Sequence, residues 1–437
     1  MLLKSTRDSS PLVNFSEAVA NGLAPDGGLY VPVEYPKFSL SYWQEFRGKT
    51  IKESAFRFFK EFLSDDFDLA LLRKICDEVF TFEAPVIPLA DRAGVMELFH
   101  GPTFAFKDFG ARFMARILPY CKKSEDGTAI TVLTATSGDT GAAVAHGFYG
   151  VDGVTAVILY PKGKVSPLQE RQFATLGGNV HAIAVDGTFD DCQRMVKEAF
   201  ADTALRDRMN LTSANSINIA RLLPQMVYYI GAWSMIPQAV AGKGLTFVVP
   251  SGNFGNLVAG IMVSRMALPG VRFIAATNAN DVVPKYLSGA DFEPRTSVQT
   301  ISNAMDVGNP SNFERLRSLF GSDQELREFL TGHAVSDETT RDVIKRVWER
   351  HKYIADPHTA TGLEVWNNLM SKPEFQGRYG VVLGTAHPAK FREVMDEILP
   401  EHIKLPNRLA ELQEKELLSV ECPADINELR NILESLT

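Results

Sequence analysis

The sequence predicts an α/β protein with two parallel-sheet domains and a smaller N-terminal domain. Strand and helix patterns alternate over most of the 437 residues, and they form two separate sets of β–α–β units. A chain of this length exceeds one ordinary hydrophobic core, so two or three domains are expected. We place the domains at residues 1–95, 96–236 and 237–437.

The N-terminal domain differs in texture from the rest of the chain. The turn-rich stretch "GLAPDGGLYVP" (22–32) is followed by mostly helical patterns up to about residue 90. We expect this domain to be small and mostly helical.

The middle domain is predicted from three apolar, β-branched runs. These are "AITVLTA" (129–135), "VTAVILY" (154–160) and "VHAIAV" (180–185), and a helical pattern follows each of them. The third helix begins "TFDDC", where Thr188 is suited to cap the helix and acids occupy the first turn. Repeated units of this kind form parallel sheets, with ligands at the carboxyl ends of the strands.

The C-terminal domain repeats the cycle. Its strand patterns are "LTFVVP" (245–250), "RFIAATN" (272–278) and "YGVVLGT" (379–385), and a helix is predicted from about 336 to 353. Two sheets of this kind are expected to face each other across a cleft.

Composition excludes several classes of function. The net charge is −8 with acids and bases interspersed, which argues against a nucleic-acid-binding protein. No apolar run is long enough to cross a bilayer, and the N-terminus lacks a secretory signal pattern. The four cysteines form no C-x-x-C pair, and we find no spacing typical of metal ligands. We expect a cytoplasmic protein without a metal ion, membrane contact or nucleic-acid partner.

The stretch "VVPSGNFGNLVAG" indicates an anion site. A strand ends at Pro250, and a turn containing Gly252 and Gly255 leads directly into a helix, whose free N–H groups favour a phosphate. The spacing is neither that of a nucleotide-binding P-loop nor that of a dinucleotide fold. The alternative is a tight turn whose glycines serve packing alone.

A second turn of similar form occurs in "TATSGDTGAA" (134–143). Thr136, Ser137, Asp139 and Thr140 could each cap the following helix. They could also offer hydroxyl and N–H groups to a second anion, such as a carboxylate or phosphate of a substrate.

The stretch "GPTFAFKDFG" places Lys107 among three phenylalanines. One interpretation is a lysine whose stem packs on the rings while its head reaches water. The other is a poorly solvated amine that loses its proton easily and attacks a carbonyl. These ten residues leave both interpretations open.

A phosphate-binding turn together with such a lysine suits pyridoxal phosphate, which needs an amine for its aldehyde and a helix N-terminus for its phosphate. In this order, "PTFAFKDFG", "TSGDTGAA" and "SGNFGN" resemble fold-type II pyridoxal-phosphate enzymes, whose fold is like that of the tryptophan synthase β subunit. Further stretches resemble the threonine synthase family: "APDGGLYVP", "NSINIARLLPQ", "SNAMDVGNPSNFERL", "DPHTATG" and "GTAHPAKF". The resemblance extends from about residue 25 to 391.

The resemblance implies roles for individual residues. Lys107 matches the lysine that links covalently to the cofactor, and Thr385 matches the residue facing the pyridine nitrogen. The cofactor's phosphate would lie against the turn of Gly252, Asn253, Phe254, Gly255 and Asn256. The substrate's phosphate would be held by Thr136, Ser137, Thr140, Asn215 and Arg221.

One residue departs from the pattern of many fold-type II relatives, which have asparagine where this chain has Asp139. Whether Asp139 contacts the cofactor's ring hydroxyl is therefore left open.

The implied reaction converts O-phospho-L-homoserine and water to L-threonine and phosphate, with Lys107 as general base and acid. The alternatives are another fold-type II lyase, such as a serine or threonine dehydratase, and a non-catalytic relative that binds the cofactor. Lack of an added regulatory domain suggests a monomer or a simple homodimer.

Overall fold

The computed structural model describes residues 1–89, 92–122, 127–400 and 403–436. Within these ranges the strands are β1 (Leu2–Ser5), β2 (Val13–Asn14), β3 (Tyr30–Pro32), β4 (Val86–Leu89), β5 (Ala93–Glu97), β6 (Ile130–Ala135), β7 (Val154–Pro161), β8 (Val180–Asp186), β9 (Leu211–Thr212), β10 (Leu245–Pro250), β11 (Val271–Thr277), β12 (Leu330–Ala334), β13 (Tyr379–Gly384) and β14 (Val420–Pro423).

The helices of the described ranges are α1 (Phe15–Asn21), α2 (Leu40–Gln44), α3 (Ile51–Leu63), α4 (Leu69–Val79), α5 (Lys107–Cys121), α6 (Asp139–Phe148), α7 (Pro167–Ala174), α8 (Phe189–Ala201), α9 (Thr203–Arg208), α10 (Leu223–Met235), α11 (Gln238–Ala241), α12 (Gly255–Arg265), α13 (Val282–Leu287), α14 (Phe313–Ser318), α15 (Asp323–Phe329), α16 (Asp337–His351), α17 (Pro357–Leu369), α18 (Arg392–Ile398), α19 (Asn407–Ala410) and α20 (Ile426–Ser435). Short 3-10 turns cover Ile219–Arg221, Asn303–Met305 and Pro388–Phe391.

Two of the three sheets are parallel or nearly so, which confirms the predicted α/β class. A five-stranded sheet has the order β14-β8-β7-β6-β9, and its pairs are all parallel. A six-stranded sheet has the order β12-β11-β10-β13-β5-β4, and only β4 runs antiparallel to its neighbour. The third sheet, β2-β1-β3, is small and antiparallel.

The inner parallel strands β6, β7, β10 and β13 are buried on both faces, as their continuous apolar runs predict. Along β7, Ala156 and Ile158 face one hydrophobic core, whereas Val157 and Leu159 face another. This alternation follows from the two-residue period of a strand. Helices therefore cover both faces of the sheet, and its strand ends remain available for a site.

The N-terminal region is an antiparallel sheet with four helices, in which aromatic residues form the core. Helix α3 buries Phe58, Phe59 and Phe62 on one face, and the ring of Phe59 lies 5.0 Å from that of Phe113 on α5. A capping box at Thr50 begins this helix, because Thr50 and Glu53 bind each other's backbone N–H groups. The amphipathic pattern of "FRFFKEF" thus serves packing.

Sheet pairing crosses both domain boundaries that the sequence suggests, and those boundaries remain predictions. Strands β4 and β5 join β13 in the six-stranded sheet, although they precede residue 98. Strand β14, near the C-terminus, joins β8 in the five-stranded sheet. Among the described residues, no helix combines the length and the apolar character that a bilayer crossing requires.

Candidate active site

A cavity of about 2110 Å³ lies at the carboxyl ends of strands from both parallel sheets. Thr136 follows β6, Ser251 follows β10 and Thr385 follows β13, and all three line the cavity. This is the position at which α/β proteins bind their ligands. The site residues that the sequence predicts all line it: Lys107, Thr136, Ser137, Thr140, Asn215, Arg221, Gly252, Asn253, Phe254, Gly255, Asn256 and Thr385.

Lys107 is the first residue of α5, and its side chain is partly exposed to the cavity. Burial lowers the pKa of Lys107 to about 8; the carboxylate of Asp139 acts to raise it, while the charges of Lys390 and Arg221 lower it further. A substantial fraction of the amine is therefore unprotonated at mildly alkaline pH. This state is the one that can attack a carbonyl or accept a proton.

The carboxylate behind Lys107 serves the backbone of the preceding loop. Asp108 is fully buried, and it accepts hydrogen bonds from the backbone N–H of Thr103 at 2.8 Å and from its hydroxyl at 2.6 Å. Burial raises the pKa of Asp108 to about 6, although the bonds from Thr103 oppose that shift. Phe104 in this loop has a left-handed φ of 57°. Asp108 thus fixes the loop that presents Lys107.

The predicted phosphate turn has the expected form, because α12 begins at Gly255 directly after it. Phe254 has a left-handed φ of 62°. A Cβ on Gly252 would lie 2.8 Å from the carbonyl oxygen of Ala304, so a side chain has no room there. The backbone N–H groups at the start of α12 are left facing the cavity, where they suit a phosphate.

Asn256 anchors the first turn of α12 to α10. Its Oδ1 accepts hydrogen bonds from the hydroxyl groups of Tyr228 at 2.5 Å and Tyr229 at 2.7 Å. Its buried Nδ2 has no hydrogen-bond partner in the described part of the chain. Because a buried unpaired donor is costly, this amide is suited to an anion bound at the helix start.

In the turn after β6, one hydroxyl group holds the turn together and two others face the cavity. The Oγ1 of Thr136 accepts the N–H groups of Gly138 at 2.9 Å and Gly141 at 2.7 Å, so it shapes the turn. No hydrogen bond within the described residues involves the side chains of Ser137 and Thr140, which line the cavity. Those two hydroxyls are the ones free for a ligand.

Arg221 lies in the 3-10 turn before α10 and is 3% exposed. Its guanidinium donates a hydrogen bond to the carbonyl oxygen of Ala214, whereas its Nε has no partner in the described residues. No carboxylate of the described residues forms an ion pair with Arg221. Burial lowers the pKa of Arg221 to about 10, although Asp108 opposes that shift, so the group stays charged at neutral pH. A buried, unpaired cation in a cavity wall requires an anion. The Oδ1 of Asn215 is likewise unpartnered.

Arg315 supports this segment and was not singled out from the sequence. It is fully buried and donates to the carbonyl oxygens of Tyr30 at 3.1 Å, Ser216 at 3.3 Å and Ile217 at 2.7 Å. A further bond reaches the side chain of Asn312. Arg315 thereby joins the N-terminal sheet to the segment that carries Asn215. These bonds give a structural role to the asparagine and the arginine of "SNFERL".

His358 is a second residue whose role the sequence left undefined. Its Nε2 accepts the backbone N–H of Ala304 at 3.2 Å, and its Nδ1 lies 2.8 Å from Asp356. An accepting Nε2 places the ring hydrogen on Nδ1, where it bonds to the carboxylate. Because Ala304 packs on Gly252, this pair helps to fix the predicted phosphate turn.

Asp139 does not line the cavity, although it is adjacent to residues that do. Its Oδ1 forms a buried ion pair with Lys390 at 2.6 Å and accepts a hydrogen bond from Gln169 at 2.9 Å. Burial alone would raise the pKa of Asp139, but the ammonium groups of Lys390 and Lys107 lower it well below its ordinary range. Asp139 is therefore an ionised partner of lysines.

The geometry fits pyridoxal phosphate. Lys107 provides a readily deprotonated amine, the turn at Gly252 provides a crowded, side-chain-free cradle with a helix start, and the unpartnered amide of Asn256 lies beside it. Thr385, 7% exposed, is the neutral group at the end of β13. Among the described residues, no three His, Cys, Asp or Glu side chains are arranged to hold a metal ion.

Comparisons with known proteins agree with this interpretation of the site. The family described as "Pyridoxal-phosphate dependent enzyme" matches residues 94–385, "Threonine synthase N terminus" matches 3–80 and "Threonine synthase, C-terminal" matches 359–433. A threonine synthase of Serratia marcescens is 45% identical over the full length of both chains.

Two solved structures extend the agreement. The crystal structure of threonine synthase from Escherichia coli has a TM-score of 0.92 at 43% identity and covers both chains completely. A pyridoxal-phosphate-bound threonine synthase from Brucella melitensis has a TM-score of 0.91 at 34% identity, and the match covers 100% of this chain and 99% of that one.

Proposed function

Because the chain belongs to the threonine synthase family of pyridoxal-phosphate-dependent enzymes, we propose that the residues lining its cavity divide into a cofactor set and a substrate set. The activity of the family is a lyase reaction that forms L-threonine and phosphate from O-phospho-L-homoserine and water. Pyridoxal phosphate is its cofactor. Each step of that reaction then falls to particular side chains of this chain.

The cofactor set is Lys107, the turn from Gly252 to Asn256, and Thr385. The N–H groups at the start of α12 and the amide of Asn256 would hold the phosphate. When bound, pyridoxal phosphate supplies an electron sink that acidifies the C–H bonds next to the substrate's amino group. Thr385 would offer a neutral hydroxyl to the ring nitrogen, so this nitrogen would not be held protonated as it would be by a carboxylate.

Lys107 acts as the main base and acid. Its Nζ would hold the cofactor covalently before substrate binds, and the free amine would be the group available to take a proton from the substrate's α-carbon and return it. A pKa near 8 suits both directions of proton transfer, since the amine can accept a proton and return it at neutral pH. Asp108 takes no part in this transfer, because Thr103 occupies its oxygens.

The substrate set centres on Arg221, and its unpaired guanidinium is the observation that carries the assignment. A dianionic phosphate on the substrate's γ-carbon needs a cation, and Arg221 is a buried one that faces the same cavity as Lys107. Ser137, Thr140 and Asn215 offer polar groups around it. Thr136 contributes by shaping the turn, since its hydroxyl is already used.

Localisation, partners and oligomeric state are further proposals. The four cysteines are free and lie far apart in the sequence, which suits a reducing compartment, so we place the protein in the cytoplasm. The net charge of −8 supports a partner set without nucleic acid. For the oligomeric state we propose a monomer or a simple homodimer.

The test is release of inorganic phosphate and formation of L-threonine from O-phospho-L-homoserine by the purified, cofactor-loaded protein. A serine or threonine dehydratase, the alternative that the sequence leaves open, would instead form a 2-oxo acid from L-threonine or L-serine. Phosphate release without threonine formation, or dehydration of threonine as the faster reaction, would contradict the assignment of the substrate set. Lys107→Ala serves as the inactive control.

A further inference from the structure

A buried ion pair between Lys390 and Asp139 lies beside the site. The Nζ of Lys390 lies 2.6 Å from the Oδ1 of Asp139, and the two side chains are 0% and 4% exposed. The charge of the same carboxylate also acts on Lys107, whose protonated form it favours. A buried ion pair is costly to desolvate, so its presence next to the reacting amine calls for an explanation.

Lys390 is tied to the loop that presents Lys107. Its Nζ also donates to the carbonyl oxygen of Thr103 at 2.8 Å, where the Nε2 of Gln172 donates as well at 3.1 Å. Thr103 in turn holds Asp108, the residue after Lys107. Lys390 follows Thr385 by five positions, in the 3-10 turn Pro388–Phe391. It therefore connects both cofactor-facing elements to Asp139.

The charges around these lysines come from several elements. The groups acting on Lys107 are Asp139 at the start of α6, Lys390, and Arg221 before α10. Lys390 also acts on Asp108 and on the two imidazoles of His146 and His387. Burial lowers the pKa of both imidazoles to about 4, so they are neutral at physiological pH. Asp139 is the negatively charged residue that acts on both Lys390 and Lys107.

We propose that Lys390 is a positioning residue that occupies Asp139 and so prevents this carboxylate from holding Lys107 in its protonated form. The proposal rests on the proposed function, in which Lys107 is the base. Without Lys390, Asp139 would be a buried carboxylate that lacks its ion-pair partner, and its uncompensated charge would act on Lys107. An opposite charge nearby favours the charged form of an amine. With Lys390 in place, the negative charge is compensated and a second positive charge opposes protonation of Lys107.

The sign of two opposite substitutions distinguishes this role from packing. Lys390→Gln removes the positive charge but keeps an amide donor for Thr103 and Asp139, so the pKa of Lys107 should rise. Asp139→Asn removes the negative charge and leaves Lys390, so the pKa of Lys107 should fall. A pair that only held the fold together would give changes of the same kind in both variants.

The experiment measures Lys107 directly in the full-length chain after removal of the cofactor. Brief acetylation with acetic anhydride between pH 6 and 10, followed by mass spectrometry of the Lys107 peptide, gives its neutral fraction at each pH. For a pKa displaced by one pH unit from about 8, the rate falls about fivefold at pH 8 in Lys390→Gln and rises about fivefold at pH 7 in Asp139→Asn. In the loaded enzyme, the acidic limb of the kcat profile should move in the same two directions.

Lys162→Gln is the matched control. Lys162 also forms an ion pair, at 2.6 Å with Glu421, but its side chain is 50% exposed. This variant should leave the acetylation profile of Lys107 unchanged. A profile in Lys390→Gln that equals this control, or displacements of one sign in both site variants, would overturn the proposal. Asp139→Asn keeps the test decisive if Lys390→Gln fails to fold. The acetylation profile does not depend on turnover, so it is separable from a failure of the proposed function.

Discussion

The backbone N–H of Phe106 donates to the carbonyl oxygen of Thr385 across 2.9 Å. On either side of this bond, Ala105 and Ala386 form an antiparallel bridge. The residue before Lys107 is therefore fastened to the residue proposed to face the ring nitrogen. Lys107 and Thr385 are held to the same edge of the cavity by main-chain bonds, which side-chain substitution leaves in place.

The first prediction concerns Lys107. The purified protein should be yellow, and borohydride should fix the cofactor on the peptide that contains Lys107. Lys107→Ala should keep weak cofactor binding through the turn at Gly252 but lose turnover by several orders of magnitude, because link and base disappear together. Lys162→Ala, which removes an exposed lysine, should behave as the wild type. A borohydride label on another lysine would refute the assignment.

The second prediction concerns Arg221. Removing one partner of a buried charged pair costs about 2–5 kcal/mol. Arg221→Ala should therefore lower kcat/KM for O-phospho-L-homoserine by roughly thirtyfold to several thousandfold. Arg221→Lys should recover part of the loss, since an ammonium cannot grip two oxygens in one plane. Cofactor loading should stay near that of the wild type.

Inhibition by a non-reactive phosphonate analogue of the substrate separates binding from turnover in the Arg221 variants. Equal affinity of wild type and Arg221→Ala for this analogue would place the phosphate clamp elsewhere. Arg392→Ala is a suitable control, because Arg392 forms an exposed ion pair with Asp396 at 2.9 Å and does not line the cavity.

The third prediction concerns Thr385. Thr385→Asp places a carboxylate where we propose that a neutral hydroxyl faces the ring nitrogen, so the nitrogen should become protonated and the electron sink stronger. More substrate should then be diverted to side products such as a 2-oxo acid, and the visible absorbance of the bound cofactor should change. Thr385→Ser, which keeps the hydroxyl, should retain the product ratio. An unchanged spectrum in Thr385→Asp would show that residue 385 does not face the nitrogen.

The fourth prediction is a pH dependence of stability. Burial lowers the pKa of His146 to about 4, although a hydrogen bond with the backbone of Gln172 opposes that shift. The unfolded chain takes up this proton near pH 6.5, before the folded chain does. The contribution of His146 is therefore fully present above pH 6.5 and is lost as the pH falls toward 4.

The comparison that isolates this contribution is wild type against His146→Gln. On acidification from pH 7.5 to 5, wild type should lose roughly 2 kcal/mol more stability than the variant in denaturant unfolding. His387, whose pKa is also lowered to about 4, acts in the same direction, and Asp108, whose pKa is raised to about 6, acts in the opposite one. His387 and Asp108 are present in wild type and in His146→Gln alike, so their contributions cancel in the comparison. Parallel loss of stability in both proteins would contradict the prediction.

The strands and the turn at Gly252 were predictable because their signals are local. Buried apolar runs gave β6, β7, β8, β10, β11 and β13 close to their observed bounds, and glycines between a strand and a helix gave the turn at Gly252. The capping residue of a helix was harder to predict. "HTATG" favours Thr359 or Thr361 as the cap of α17, yet Asp356 accepts the first N–H groups, and Pro357 is the first helical residue.

The supporting residues were not predictable, because their partners are distant in the sequence. Arg315 looks like an ordinary helical arginine until its guanidinium is seen to bind the carbonyls of Tyr30 and Ile217. Lys390 likewise lies in a recognisable stretch, but nothing local indicates its pairing with Asp139. Only the packing of separate elements brings such groups together.

The pairing of β14 with β8 bears on how the chain matures during synthesis. The five-stranded sheet takes its other strands from the first half of the chain, but its edge at β8 stays open until Val420–Pro423 leaves the ribosome. Likewise, β5 must wait for β13 before it has its parallel neighbour. An uncovered strand edge is a template for pairing with other chains. We therefore expect truncation before residue 420 to produce a nascent product that depends on chaperones and aggregates more readily than the full-length chain.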